Sequence, residues 1–392
     1  MSHKIKVEVL TIKDEIVSLR RYFHQHPEPS LKEYETAKKI QQELKALGIP
    51  YETVGETGTI AVLEGKRGGG KTILLRADID ALELEDAKDL PYSSENPGLN
   101  HACGHDGHTA TLLGAAKVLK KFADQISGTI KLVFQQAEEI GAGARLFVEG
   151  GHLEDVDEVF SLHLDSSLPV GTLASRPGAI AASCDIFKIK VHGVSAHVAQ
   201  PHVGKDALLT ASSIVCELQN IVARVVDPLD PVVVGIGVMR AGTRYNIVPN
   251  LAELEGTVRC FSHETRRRVV QRVEQIALNV ATAHETQLEF EVYEAAAPCI
   301  NHPESAAFAA RVAREIVADS QVITEEKKAL GADDFADFLA VKPGVYTRVG
   351  TANPADKNTQ YPHHHEKFDI DEDALVLATQ YYVLYALNYL AK

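Results

Sequence analysis

Lys71-Thr-Ile-Leu-Leu-Arg-Ala-Asp-Ile-Asp80 runs from a lysine through a mostly apolar segment to two carboxylates one residue apart. A short apolar run of this kind predicts a strand covered on both faces. Polar groups at its carboxyl end predict that chemistry gathers there, as in open α/β sheets. The motif recurs downstream. Thr129–Gln135 reads as a strand leading to Glu138-Glu139, and Val159–His163 reads as another ending on a histidine. Alanine-rich Thr109–Phe122 and the shorter Gly143–Glu149 read as helices between them. Upstream, Ile16, Leu19, Tyr22 and Phe23 form one apolar stripe at helical spacing, and Ala37, Ile40, Leu44 and Leu47 form a second. Pro27 and Pro29 separate the two helices. Tyr51–Val54 and Thr59–Leu63 then read as strands around Gly55 and Gly58. This order predicts an α/β domain: a larger mixed sheet with helices on both faces.

Near Ser183 the rhythm changes. Cys184–Val191 alternates as a strand, Ala207–Val222 is helical, and Val232–Val238 and Ala252–Arg259 are strands. Thr265–Val280 is helical and Gln287–Glu294 is a strand. That is a β-α-β-β-α-β module. After Pro298 the α/β style resumes, with a helix over 304–316 and another from about Asp373. The expected organisation is a catalytic domain in two segments, 1–183 and 297–392, with a smaller α+β lid or dimerisation domain, 184–296, inserted between them.

The chain has 392 residues and a net charge of -14. An acidic surface offers no field for phosphates and none for an anionic bilayer, so neither nucleic acid nor membrane is an expected partner. No apolar run approaches the ~18 residues of a membrane span. The first residues lack the apolar segment of a secretory signal, and the expected location is cytoplasmic. Five scattered cysteines do not make a disulfide scaffold. Cys184, Cys216, Cys260 and Cys299 read as small buried hydrophobes.

Cys103 differs, because it sits in His101-Ala-Cys-Gly-His-Asp-Gly-His108. Three imidazoles, a thiol and a carboxylate in eight residues suit a borderline metal such as zinc or manganese. Gly104 lets the backbone turn between Cys103 and His105. Three other clusters lie near element ends: Glu138-Glu139, His163 and Pro362-His-His-His-Glu366. Together they offer enough donors for two metal ions. Paired ions flank a bridging oxygen, lower the pKa of bound water and polarise a scissile carbonyl. Of two adjacent acids, one can ligate while the other stays free as a general base.

Leu75-Arg-Ala-Asp-Ile-Asp-Ala-Leu82, the 101–108 cluster, Gln135-Gln-Ala-Glu-Glu139 and His163 resemble the M20 metallopeptidase family. The likeness is to its aminoacylase-like amidohydrolase branch, which includes hippurate hydrolases, N-acetyl-amino-acid deacetylases and auxin-conjugate hydrolases. It extends from Phe23-His-Gln-His-Pro-Glu28 to Lys367-Phe-Asp-Ile-Asp-Glu372. The resemblance implies hydrolysis of the amide of an N-acyl amino acid by metal-activated water. It implies Cys103, His105, Glu139, His163 and His364 as metal ligands, with His363 the alternative to His364, and Glu138 as general base. The implied cofactor is a pair of divalent ions, manganese or zinc, with cobalt and nickel also admitted. Asp78, His101, Asp106 and His108 are read as supporting the ligands. His197, in Val191-His-Gly-Val-Ser-Ala-His197, matches a histidine that stabilises the oxyanion, often across a dimer interface; here Ala196 replaces the usual glycine. Asn246 matches a substrate-contacting asparagine. Arg240, Arg244 and Arg348 are candidates for the substrate carboxylate. Asp333, in Gly331-Ala-Asp-Asp-Phe335, stands where the family has Glu and reads as pocket wall. A homodimer through the inserted domain is implied. A dipeptide, N-acetyl-diaminopimelate, an aminobenzoyl-glutamate conjugate or a carbamoyl amide stays open as substrate. A metal-binding protein without catalysis stays open as the non-enzyme reading.

Overall fold

The computed structural model describes residues 2–391. Its described chain divides into two compact units. The smaller is Ala179–Cys299 together with Lys328–Ala332, and the larger is the remainder.

In the larger unit, eight strands form one mixed sheet. Their order across it is Tyr51–Val54, Gly58–Glu64, Thr129–Gln135, Thr72–Asp78, Glu158–Pro169, Gly344–Ala352, Leu173–Ala174 and Val322–Ile323. Thr72–Asp78 lies at the centre and runs parallel to both neighbours. Its apolar residues Ile73, Leu74 and Leu75 are all fully buried, as a strand covered on both faces requires. The helix His105–Lys121 packs on this sheet and is buried along most of its length. Gly107 permits that approach, because a Cβ there would lie 2.4 Å from a Leu164 methyl. The C-terminal helix Asp373–Leu390 is buried on every side. Its Tyr382 and Tyr385 hydroxyls donate to the Arg76 carbonyl and the Glu158 carboxylate, at 2.6 Å each. Buried phenols keep such partners because losing one leaves a desolvated polar atom.

Two expectations about the site elements shift. The helix expected from Thr109 begins at His105, so the second half of the histidine cluster is itself its first turn. Gly104 precedes it with φ 89°, a left-handed conformation that glycine adopts without steric cost. The strand expected to end at His163 runs on to Pro169, which places His163 inside the sheet.

The smaller unit carries a four-stranded antiparallel sheet in the order Gln287–Ala296, Cys184–His192, Leu251–Cys260, Val232–Ala241. The helices Ala207–Asn220 and His263–Ala283 close a core over it from Phe187, Ile189, Ile214, Leu218, Val269 and Val273. The strand and helix order is the expected β-α-β-β-α-β. One expectation needs correction: Ala207–Val225 is long and apolar enough to cross a membrane by length and composition alone. A π-turn at Ile221–Val225 extends the helix and makes up the length. Ala211, Ile214, Leu218 and Ile221 line its packed face, although only 28% of the apolar window is buried.

Candidate metal centre and active site

Five sequence-predicted ligands converge in the larger unit. Donor atoms of Cys103, His105 and His163 lie within 4.8 Å of one another, as do those of Cys103, Glu139 and His364 and those of His105, Glu138 and Glu139. The Cys103 Sγ is 3.5 Å from His163 Nε2. His364 Nε2 is 3.5 Å from one Glu139 oxygen, and His105 Nε2 is 3.9 Å from the other.

Backbone carbonyls orient two of these rings. His105 donates its Nδ1–H to the Asp80 carbonyl at 2.9 Å, and His163 donates its Nδ1–H to the Leu164 carbonyl at 2.8 Å. Each bond leaves Nε2 pointing inward as the donor atom, the arrangement metal-ligating histidines adopt. The structure also separates His364 from His363. His363 spends its Nε2 on the Leu164 carbonyl at 2.9 Å, whereas His364 turns its ring to Glu139. His364 has φ 64°, unusual for a residue with a Cβ, and its N–H is anchored on the Ala102 carbonyl at 2.8 Å. That bond ties it beside Cys103.

The acids arrive by a second left-handed residue. Ala137 has φ 54°, and the chain turns there from the end of Thr129–Gln135 into Glu138-Glu139. The Glu139 N–H donates to Asp80 at 3.1 Å. Glu138 lies close to Asp333 and Asp334. The Arg76 guanidinium, fully buried, reaches Asp78 at 2.6 Å, Asp334 at 2.9 Å and Asp333 at 3.3 Å. Tyr346 donates its hydroxyl to Asp333 at 2.6 Å.

Positive charge is scarce here. Desolvation and the Asp333, Glu139 and Asp334 carboxylates drive Glu138 far toward its neutral form. Desolvation pushes Glu139 up to about 7 even with His105 beside it. Desolvation likewise pushes Asp334 up to about 8, against the pull of Arg76. Burial, then Glu139, raises the Cys103 thiol. His105 goes the other way: burial would lower it, yet Asp78 raises it well above the ordinary imidazole range. Acids that draw a proton onto a buried imidazole form a site short of cations. His105 Nε2 and one oxygen each of Glu139 and Asp80 are buried without a hydrogen-bond partner. A thiolate, three imidazoles and a carboxylate with unsatisfied donor atoms fit one or two divalent ions of the zinc or manganese type.

The supporting residues divide. His108 accepts the Leu164 N–H on Nε2 at 2.9 Å and donates Nδ1–H to Asp78 at 2.5 Å, so it braces Asp78 beneath His105. Asp106 orients no ligand ring, contrary to expectation. It lies in the first turn of its helix, turned to Arg20 Nε at 2.8 Å and His24 Nδ1 at 2.7 Å. His101 is buried with neither ring nitrogen hydrogen-bonded, and desolvation lowers it to about 3; it too holds no ligand. Arg348 is already paired with Asp165 at 3.2 Å and Glu326 at 3.7 Å, and Arg240 is exposed and paired with Glu255 at 3.3 Å. His197 and Asn246 lie in the smaller unit. His197 is exposed and accepts the Ala199 N–H on Nδ1 at 3.0 Å, and the Asn246 side-chain oxygen is buried without a partner.

Sequence reading marked Asp80 only as a strand-end carboxylate and missed Arg76, Arg20 and Glu33. Signals existed for two. Arg76 interrupts an apolar strand, and Arg20 falls four residues after Ile16 on the stripe that faces the core.

A two-unit α/β chain whose larger unit gathers Cys, His and acid donors into one cluster defines a metal-dependent hydrolase. Residues 74–388 match Peptidase family M20/M25/M40, and the chain belongs to that family. The resemblance read from the motifs is thereby borne out. The chain is 38% identical to thermostable carboxypeptidase 2 of Saccharolobus solfataricus over 391 residues, 98% of each chain. It is 38% identical to N-acetyl-L-cysteine deacetylase of Bacillus subtilis over 380 residues, 97% of this chain and 88% of that one. Among solved structures, the Bacillus subtilis YXEP protein, described as a dinuclear metal binding peptidase from the M20 family, superposes with a TM-score of 0.84 at 34% identity. The match covers 97% of this chain and 99% of that one.

Proposed function

We propose that the protein hydrolyses the amide of N-acyl amino acids, N-acetyl or N-aroyl, to a carboxylic acid and a free amino acid. The observation that carries the reading is the placement of Glu138, an acid whose carboxylate lies within 4.8 Å of the donor atoms of His105 and Glu139. Cys103, His105, Glu139, His163 and His364 would hold two divalent ions. When bound, the ions supply Lewis acidity toward water and the acyl carbonyl. Bound cations would also lower the Glu138 carboxyl, leaving it ionised to accept a proton on its oxygen from the attacking water. It then delivers that proton to the amide nitrogen as the C–N bond breaks, so the amine leaves neutral. His197 and Asn246 are assigned to the oxyanion and the substrate by the family likeness alone.

Zinc or manganese is the proposed metal, the Cys103 thiolate favouring zinc. A homodimer through the smaller unit is proposed, and a cytoplasmic location, which five free cysteines suit. A peptide substrate is the second reading, favoured by the likeness to a carboxypeptidase. Hydrolysis of an N-acyl amino acid panel against a dipeptide panel, by protein reconstituted with each metal, decides between them. Turnover of the first panel that is lost in Glu138→Ala with metal retained supports the proposal. No turnover of any N-acyl amino acid refutes it.

A further inference from the structure

Among the described residues, four that are not glycine have a left-handed backbone: Leu31, Ala137, Glu285 and His364. Two of them share one acceptor. A single carboxylate oxygen of Glu33 accepts the Leu31 N–H at 3.0 Å and the Ala137 N–H at 2.9 Å, although 106 residues separate those two in the chain. The other Glu33 oxygen accepts the Thr57 hydroxyl at 2.7 Å. Glu33 is fully buried, and desolvation raises its carboxyl. A buried acid is costly to keep unless its lone pairs are used, and here they go to two backbone N–H groups and a hydroxyl rather than to a cation.

The same loop reaches the site by a second route. Ser30 donates to Asp80 at 2.7 Å, and that Asp80 oxygen also accepts the Glu139 N–H. The loop is pinned alongside by the Ala81 N–H on the Glu28 carbonyl at 2.8 Å. Residues 28–33 therefore grip the Glu138-Glu139 turn at Ala137 on one side and at Glu139 on the other. Ala137 has a Cβ and gains nothing intrinsic from φ 54°. Its left-handed turn, which aims Glu138 and Glu139, must be held from outside.

We infer that Glu33 is a positioning residue for the catalytic acid pair, acting through the Ala137 N–H without touching substrate or metal. The kinetic part of this inference rests on the hydrolase reading above. The structural part does not.

The test is a set of variants read by steady-state kinetics and by hydrogen exchange at the Ala137 amide. Glu33→Ala is expected to lower kcat about 10²-fold with KM kept, since small misplacement of a catalytic group costs that much. It should also abolish exchange protection at Ala137. Glu33→Gln keeps a carbonyl oxygen for both N–H groups and can donate its amide to Thr57, so it should restore kcat and protection. Adding Ala137→Gly to Glu33→Ala should recover part of kcat, because glycine takes positive φ without steric cost. Should Glu33→Ala fail to fold, Glu33→Asp, one methylene short of Ala137, carries the same expectation. Full protection of Ala137 in the folded Glu33→Ala or Glu33→Asp protein would overturn the inference, as would Glu33→Gln behaving like Glu33→Ala. If no substrate is turned over by the wild type, the hydrolase reading fails and the exchange result alone decides the role of Glu33.

Discussion

Two clusters of acids meet the first turn of one helix, one at Asp106 and one at His105, and they are balanced differently. At Asp106, Arg20 reaches Asp106, Asp369 and Glu372, and His24 and Arg21 add to it. Burial alone would raise these acids, yet Arg20 holds both Asp106 and Asp369 below the ordinary carboxylate range. At Glu138, one guanidinium, Arg76, faces Asp78, Asp333 and Asp334; His105 and Arg76 hold Asp78 low, but Glu138, Glu139 and Asp334 are pushed up. Residue types are alike in the two places. The difference is one of charge balance: a cluster that supplies its own cations is structural, and one left short of them awaits a ligand.

The comparison can be broken from either side. The largest effect is expected at Glu138. Glu138→Gln should cut kcat about 10²–10⁴-fold, the usual contribution of a general base. Metal content by elemental analysis should stay at the wild-type level, since the turn and Glu139 remain. At the balanced cluster, Arg20→Met takes the guanidinium away from two buried carboxylates, Asp106 and Asp369, and should destabilise the fold by about 3–5 kcal/mol in urea unfolding. Activity per folded molecule should persist. If the two variants exchanged phenotypes, the distinction would be wrong.

A smaller effect concerns pH. Glu139 at about 7 and Asp334 at about 8 sit above the ordinary carboxylate value in the folded protein. A folded state with raised carboxyl values binds protons more tightly than the unfolded chain. Its stability from these groups is therefore full below about pH 4 and is lost as pH rises through 7 and 8. From these two groups, metal-stripped protein should lose melting temperature between about pH 5 and about pH 8. Protein loaded with metal should not, because the ions replace the protons. Melting curves with and without chelator across that range check it. The smallest effect belongs to Arg240. Its pair with Glu255 is exposed, so Arg240→Ala should change stability by about 0–1 kcal/mol. A large rise in KM there would restore Arg240 as a substrate contact.

The strands and the donor cluster were legible because apolar runs and ligand residue types are local signals. Thr72–Asp78 and Thr129–Gln135 could be read from their own letters. The support around them could not. Asp106 sits between two ligand-like histidines, and only the packing of Lys13–Gln25 against its helix turns it to Arg20. His363 and His364 are indistinguishable as letters, and a φ of 64° at one of them decides which ring faces Glu139. Glu33 and Ala137 meet only through the fold. Backbone conformation and long-range pairing leave no mark in local spacing, and these carry the geometry of the site.

The most direct test of the cation deficit is calorimetric titration of metal-stripped protein with zinc or manganese near pH 7, in two buffers of different ionisation enthalpy. Burial keeps the proton on the Cys103 thiol and raises Glu139 to about 7, so a metal entering near pH 7 must displace protons. The expected result is two ions bound per chain with net proton release, and one fewer or a weakened ion in His364→Ala. Binding without proton release, or no binding in the five-donor cluster, would contradict the account.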